Sequence, residues 1–250
     1  LSKFAMKLHE AHGADDIYIK ARFDYSFLDK TPVTGLVTHE PVKVIFESWL
    51  RREQSPQGLA LPSELKVRNF LTVETTEMSL CPCSKTMSLL YNNISDEHRE
   101  LLEKLPEDLK VKVRESGFGG HSQKSVISIK VELTPAGLSG TKMWIEDLVR
   151  INRNAASAPT FTVLKRGDEK WVTEASFMGK YIDPENDYKM TDVGGGARFV
   201  EDIARHAAQD LENRLDKEIQ DYVIVVNNQE SIHSEDIYAT AILAAGRSLR

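Results

Sequence analysis

The chain has 250 residues, 41% of them hydrophobic and 28% charged, a balance that excludes wholesale disorder and leaves room for one large domain or two small modules. Its 32 Lys and Arg against 38 Asp and Glu give a net charge of −6, which argues against a dedicated nucleic-acid or anionic-membrane binder. The longest apolar stretch, 239–245, falls far short of a transmembrane helix, and charges throughout the first twenty residues speak against a signal peptide.

In chain order, residues 3–12 read as the end of an amphipathic helix. Asp16–Phe27 alternates Ile17, Ile19, Ala21 and Phe23 and reads as a strand. Lys30–Gly35 is a turn. Pro41–Leu50 and Lys66–Met78 are further strands, and short runs bounded by Pro and Gly point to antiparallel pairing. Ser95–Glu103 is expected to form a short charged helix, and Val126–Leu133 carries a clear strand alternation. Thr141–Asn152 reads as a helix, Lys170–Thr173 as a strand, Phe199–Gln220 as a longer helix, Tyr222–Asn227 as a strand and Ser234–Ala245 as a closing helix. Pro184–Gly196, ending in three glycines, reads as a surface loop.

Several groups carry chemistry. The two cysteines share one tripeptide, Cys81-Pro82-Cys83, at a strand end, and fit functional thiols in a reducing cytoplasm better than a disulfide framework. Each is a candidate metal ligand or nucleophile, or simply a small buried residue. His121 follows a Gly pair, where an imidazole can project into a cleft or lie on an exposed loop. Lys165, Arg166, Asp168 and Glu169 form either a phosphate- and metal-binding group or a solvated charged turn. Glu201-Asp202 opens a helix, at the end where acids are electrostatically favoured. Glu230 and His233, three residues apart, form an acid/base pair or the start of a helix. Together Cys, His and Glu would make a mixed metal site suited to metal-assisted hydrolysis.

Six pieces, Lys30–Gly35, Cys81–Lys85, Gly119–Ser125, Leu164–Glu174, Phe199–Arg205 and Glu230–His233, occur in the order and wording of one family. The chain resembles the prokaryotic GTP cyclohydrolase of type IB. That resemblance implies an α+β tunnelling fold, with antiparallel sheets backed by helices and two modules per subunit, near 1–140 and 141–250. It implies a cytoplasmic homotetramer with active sites near subunit interfaces. The implied reaction is metal-dependent hydrolysis of GTP to 7,8-dihydroneopterin triphosphate and formate, the entry to tetrahydrofolate synthesis. Carried onto this sequence, the metal (zinc, manganese or iron) falls to Cys81, His121 and Glu169. Glu201 falls to the guanine edge, Glu230 and His233 to the reacting end, and Cys83 to a place beside the metal. Lys85, Lys124, Lys165 and Arg166 are candidates for the triphosphate. Segments 95–114 and 184–196 read as insertions. An archaeal-type cyclohydrolase giving a cyclic phosphate product, or a non-catalytic purine- or metal-binding protein of the same fold, are the alternatives.

Overall fold

The computed structural model describes residues 2–53, 64–83, 100, 101, 103–110, 120–138, 145–215 and 217–246. Helix α1 (Ser2–His12) leads into strands β1 (Asp16–Lys30), β2 (Val37–Glu53), β3 (Glu64–Leu80) and β4 (Ser122–Leu133). A one-turn helix α2 (Pro135–Leu138) and helices α3 (Ile145–Ala155) and α4 (Arg166–Met178) follow, then a small hairpin of β5 (Lys180–Asp183) and β6 (Lys189–Asp192). Helix α5 (Val200–Leu215) and strands β7 (Ile219–Gln229) and β8 (Tyr238–Ala244) close the order.

Six strands form one antiparallel sheet in the order β1-β2-β3-β4-β7-β8. The period-2 pattern decides which side is buried. On β4, Gln123, Ser125, Ile127, Ile129 and Val131 point to one face and are buried. On that face α3 contributes Leu148 and Ile151, and α5 contributes Ile203, Ala207 and Leu211. The buried positions of α5 recur every three or four residues, so its apolar stripe lies on the sheet while Glu201, Arg205 and Gln209 stay outside. Each large aliphatic side chain buried in this way contributes roughly 1.5–3 kcal/mol. The molecule is thus α+β, an antiparallel sheet backed by helices, as the alternation predicts. β4, from residues 1–140, pairs directly with β7, from residues 141–250.

Three expectations are corrected. Lys170–Thr173 is not a strand but part of α4: its β-formers Trp171, Val172 and Thr173 sit within a helix whose buried residues are Asp168, Val172, Ala175 and Ser176. Ser234–Ala245 is not a helix. Residues 238–244 pair with β7, from Gln229↔Tyr238 to Val223↔Ala244, because the ladder offers their backbone partners along the whole run. The Pro184–Gly196 loop contains β6, and its glycines are structural: Gly194, Gly195 and Gly196 all have left-handed φ, and a Cβ on Gly195 would overlap the Ser157 carbonyl oxygen. The expected helix Ser95–Glu103 falls almost wholly outside the described residues, as does Lys85.

Candidate active site

Antiparallel order brings one set of loops to one end of the sheet. β1, β3 and β7 finish there, and β2, β4 and β8 begin there. The turn 31–36, Cys81, His121 and Glu230 are therefore carried to the same end, although they are scattered over 200 residues of sequence.

Leu80 pairs with Ser122, so Cys81 and His121 lie one residue beyond facing positions of β3 and β4. Cys81 is half-buried and Cys83 exposed, and both are free thiols. The Nδ1 of His121 is buried and has no hydrogen-bond partner among the described residues. It lies 3.9 Å from Glu230 Oε2, too long for a hydrogen bond but close enough for the two groups to share a ligand. Glu230 continues β7 past Gln229 and accepts a hydrogen bond from Gln123 Nε2 at 3.3 Å. Its backbone N–H donates to the Ile237 carbonyl at 2.9 Å, which closes the β7–β8 loop. Glu230 and His233 therefore sit in a hairpin loop rather than at a helix start, and both line a cleft of about 420 Å³. Lys124 lines it too, together with the acids Glu235 and Asp236. Among the described residues it is the only Lys or Arg in that lining, so the cleft itself is acidic.

The remaining predicted residues lie elsewhere at this end. Lys165, Arg166 and Glu169 are exposed at the start of α4. What fixes them is Asp168, which the sequence offered only as a carboxylate of a metal- or phosphate-binding group or of a charged turn. Its buried carboxylate accepts from Val33 N at 2.9 Å, Thr34 N at 3.0 Å, Thr34 Oγ1 at 2.7 Å and Lys165 N at 3.1 Å. Burial pushes the Asp168 carboxyl up, but these donors outweigh it and hold it at about 2. Two of the six sequence motifs are thereby bolted together. Glu201 is exposed in the first turn of α5, whose approach to the site is set by Leu80 N donating to the Arg198 carbonyl at 3.2 Å. Arg198 Nη1 in turn donates to the carbonyls of Asn154, Ala155 and Ala156 at the C-terminus of α3.

A second group missed from sequence lies four residues before Cys81. Glu77 is fully buried, accepts from Thr160 N at 2.9 Å and lies 3.8 Å from Arg153 Nη1. Burial raises its carboxyl to about 7 against the pull of Arg153 and the Thr160 amide. The signal available was only a Glu in phase with Val73 and Thr75 on an apolar strand.

The thiol and imidazole suit a divalent metal in chemistry and follow paired ends of β3 and β4, and the unpartnered His121 nitrogen has a lone pair or a proton left to share. Glu169 is not gathered with them. Among the described residues no three His, Cys, Asp or Glu side chains are grouped closely enough to hold a metal.

The family model for type I GTP cyclohydrolase FolE2 matches residues 1–181 and 187–239, which takes in all six motifs. The chain belongs to this family. Among curated relatives, the GTP cyclohydrolase FolE2 of Caldicellulosiruptor bescii is 28% identical over 239 residues, 96% of this chain and 68% of that protein. That of Dictyoglomus turgidum is 26% identical over 239 residues, 96% of this chain and 67% of that protein. That of Thermotoga maritima is 33% identical over 208 residues, 82% of this chain and 60% of that protein. The chain thus spans 60–68% of the length of these relatives. The resemblance carried by the motif order is borne out, and with it the GTP cyclohydrolase assignment, a hydrolase acting on a cyclic amidine. The gap at 182–186 falls in the β5–β6 hairpin and overlaps the segment 184–196, expected as an insertion, only at 184–186. No helix among the described residues is long and apolar enough to cross a membrane.

Proposed function

We propose that this chain opens the imidazole ring of GTP by hydrolysis, releasing formate and yielding 7,8-dihydroneopterin triphosphate, at the end of the sheet where β3, β4 and β7 meet. The observation that carries the reading is Glu230, which lies 3.9 Å from the unpartnered nitrogen of His121 and shares a cleft with His233. A carboxylate and an imidazole lining one cleft can pass protons to and from one bound substrate. In this reading Glu230 accepts a proton at the reacting end and His233 shuttles protons during the ribose rearrangement and ring closure. Glu201 holds the guanine edge through N1–H and the 2-amino group, two parallel donors that match a carboxylate. The acidic lining of the cleft suits the base and ribose. The triphosphate lies toward Lys124 at its rim and toward Lys165, Arg166 and Lys85.

Cys81 and His121, with Cys83 beside them, would hold zinc, manganese or iron, and the motif order makes Glu169 the third donor although it stands apart from the other two in this structure. Bound there, a divalent ion supplies Lewis acidity that makes hydroxide available near neutral pH. To the same reading belong the tunnelling fold, two modules per subunit, a cytoplasmic location, and a homotetramer with active sites near subunit interfaces. What supports assembly is the second face of the sheet, where the paired Tyr18 and Trp49 and the edge residue Ile242 are exposed. The test is incubation of the chain with GTP and each metal, followed by assay for formate and, after oxidation, for a fluorescent pterin. Release of both is expected. Tight GTP binding with no formate would overturn the reading in favour of a binding protein, and a cyclic phosphate product would overturn the triphosphate product.

A further inference from the structure

One buried side chain lining the cleft has a polar atom that no described group satisfies. Gln123 on β4 is 4% exposed, and its Nε2 donates to Glu230 while its Oε1 is buried without a hydrogen-bond partner among the described residues. The orientation of this amide is fixed by chemistry. A carboxylate only accepts, so the NH2 must face Glu230; the flipped amide would set its carbonyl oxygen against a carboxylate oxygen. The backbone beneath is firmly held, since Gln123 pairs with Ser79 across the β3–β4 ladder and its carbonyl accepts from Ser79 Oγ at 3.4 Å. A buried amide oxygen with no donor is costly unless a bound molecule supplies one, and Gln123 lines the cleft that Glu230 and His233 share.

Resting on the GTP reading, the donor can be found by elimination. GTP offers four donor groups: N1–H, the 2-amino group and two ribose hydroxyls. The N1–H and one N–H of the 2-amino group are assigned to Glu201, and the other amino N–H lies on that same guanine edge, with Glu201 rather than with Glu230. The phosphates present acceptors at neutral pH, and Glu230, Glu235 and Asp236 would repel them from this cleft. Only the ribose remains. We propose that Gln123 is a specificity-determining residue: its amide oxygen accepts a hydrogen bond from a ribose hydroxyl of the nucleotide, while its amide nitrogen holds the Glu230 carboxylate in the orientation used for proton transfer.

The experiment is calorimetric titration of the full chain, wild type and Gln123→Met, with GTP, 2′-deoxy-GTP and 3′-deoxy-GTP, alongside kcat and KM for GTP. Met keeps the length and burial of the side chain but removes both polar atoms. The wild type is expected to prefer GTP over one of the two deoxy analogues by about threefold to tenfold, the worth of one hydrogen bond. Gln123→Met is expected to lose that preference, with kcat falling more than tenfold as Glu230 loses its partner. A wild type that binds both deoxy analogues as tightly as GTP overturns the proposal without any variant. So does a Gln123→Met protein that keeps the wild-type preference and merely melts earlier, the mark of a structural role. Wild-type release of formate separates the two readings: its absence overturns the cyclohydrolase reading, whereas formate release without ribose discrimination overturns this inference alone.

Discussion

Replacing Asp168 by Asn tests whether the first turn of α4 is anchored as described. The native carboxylate takes two backbone amides and a hydroxyl from the β1–β2 turn, and the Lys165 amide from its own helix. All four donors converge on two oxygens. Asn keeps the shape but turns one oxygen into an NH2, so a donor now meets donors and the charge that strengthened every bond is gone. A hydrogen bond to a charged group is worth about 1.5–3 kcal/mol, and the Asp168 carboxylate that receives all four is buried, so a loss of about 3 kcal/mol is expected. At roughly 2–4 °C per kcal/mol for a domain of this size, the thermal midpoint should fall by about 6–12 °C near pH 7. The pH dependence has a definite sign. The folded carboxyl titrates at about 2, below the ordinary Asp value. Its contribution is therefore complete above the unfolded value of about 4 and is lost as pH falls through about 2, so the gap between wild type and variant should narrow over that window. Circular dichroism melts and urea titrations of both proteins at pH 7, 5 and 3.5 would show this. Equal midpoints at pH 7 would refute the anchor, and a gap that widens on acidification would refute the charge argument.

Glu77→Gln should change the pH profile in the opposite sense. The folded Glu77 carboxyl is raised to about 7, so the wild type loses stability as pH rises from its unfolded value through about 7; urea midpoints at pH 5 and 8 should differ less in the variant, and an unaltered profile would show that Glu77 does not hold its proton. Cys81→Ala should abolish bound metal while the sheet persists, and undiminished metal stoichiometry with retained turnover would sink its role as ligand. Glu201→Gln should cut GTP turnover by orders of magnitude at normal metal content. If its exposed carboxylate served only the α5 dipole, the change would cost about 0.3–1 kcal/mol of stability and spare catalysis.

The strands were legible because their chemistry is local. Val126–Leu133 alternates in sequence, and its Ile127, Ile129 and Val131 are buried under α3 and α5. Where local chemistry misled, tertiary pairing had decided the structure. Glu235-Asp236 ahead of an Ala-rich run has the look of a helix start, yet the free edge of β7 captured that run as β8. Trp171-Val172-Thr173 favours a strand taken alone, but Asp168 at the third helical position fixes a helix start that only the distant turn at Val33 and Thr34 makes visible. The candidate site was legible as residue types in a family order, not as geometry. Sequence order cannot reveal that Glu230 falls beside His121 and Gln123, because that follows from β7 pairing with β4 across the intervening helices.

Along the β4–β7 pair the unsatisfied buried groups gather at this end of the sheet. Among the described residues, His121 Nδ1, Gln123 Oε1 and Asn228 Nδ2 are buried without partners along β4 and β7, within a few residues of Glu230. Each such group costs roughly 1–3 kcal/mol in a protein whose net stability is of the order of 5–15 kcal/mol. Farther along the same pair of strands, Ile127, Ile129, Ile224 and Val226 fill the equivalent positions with aliphatic carbon at no such cost. The change from aliphatic to unsatisfied polar side chains occurs where the ladder runs out into the loops. A bound nucleotide or ion that satisfied these atoms would recover part of the cost, and would bind the folded chain but not the unfolded one. Ligand at a hundredfold excess over its Kd should therefore raise stability by about 2.7 kcal/mol. If GTP left the wild-type urea midpoint unmoved, the strained end of the sheet would have to serve some other ligand.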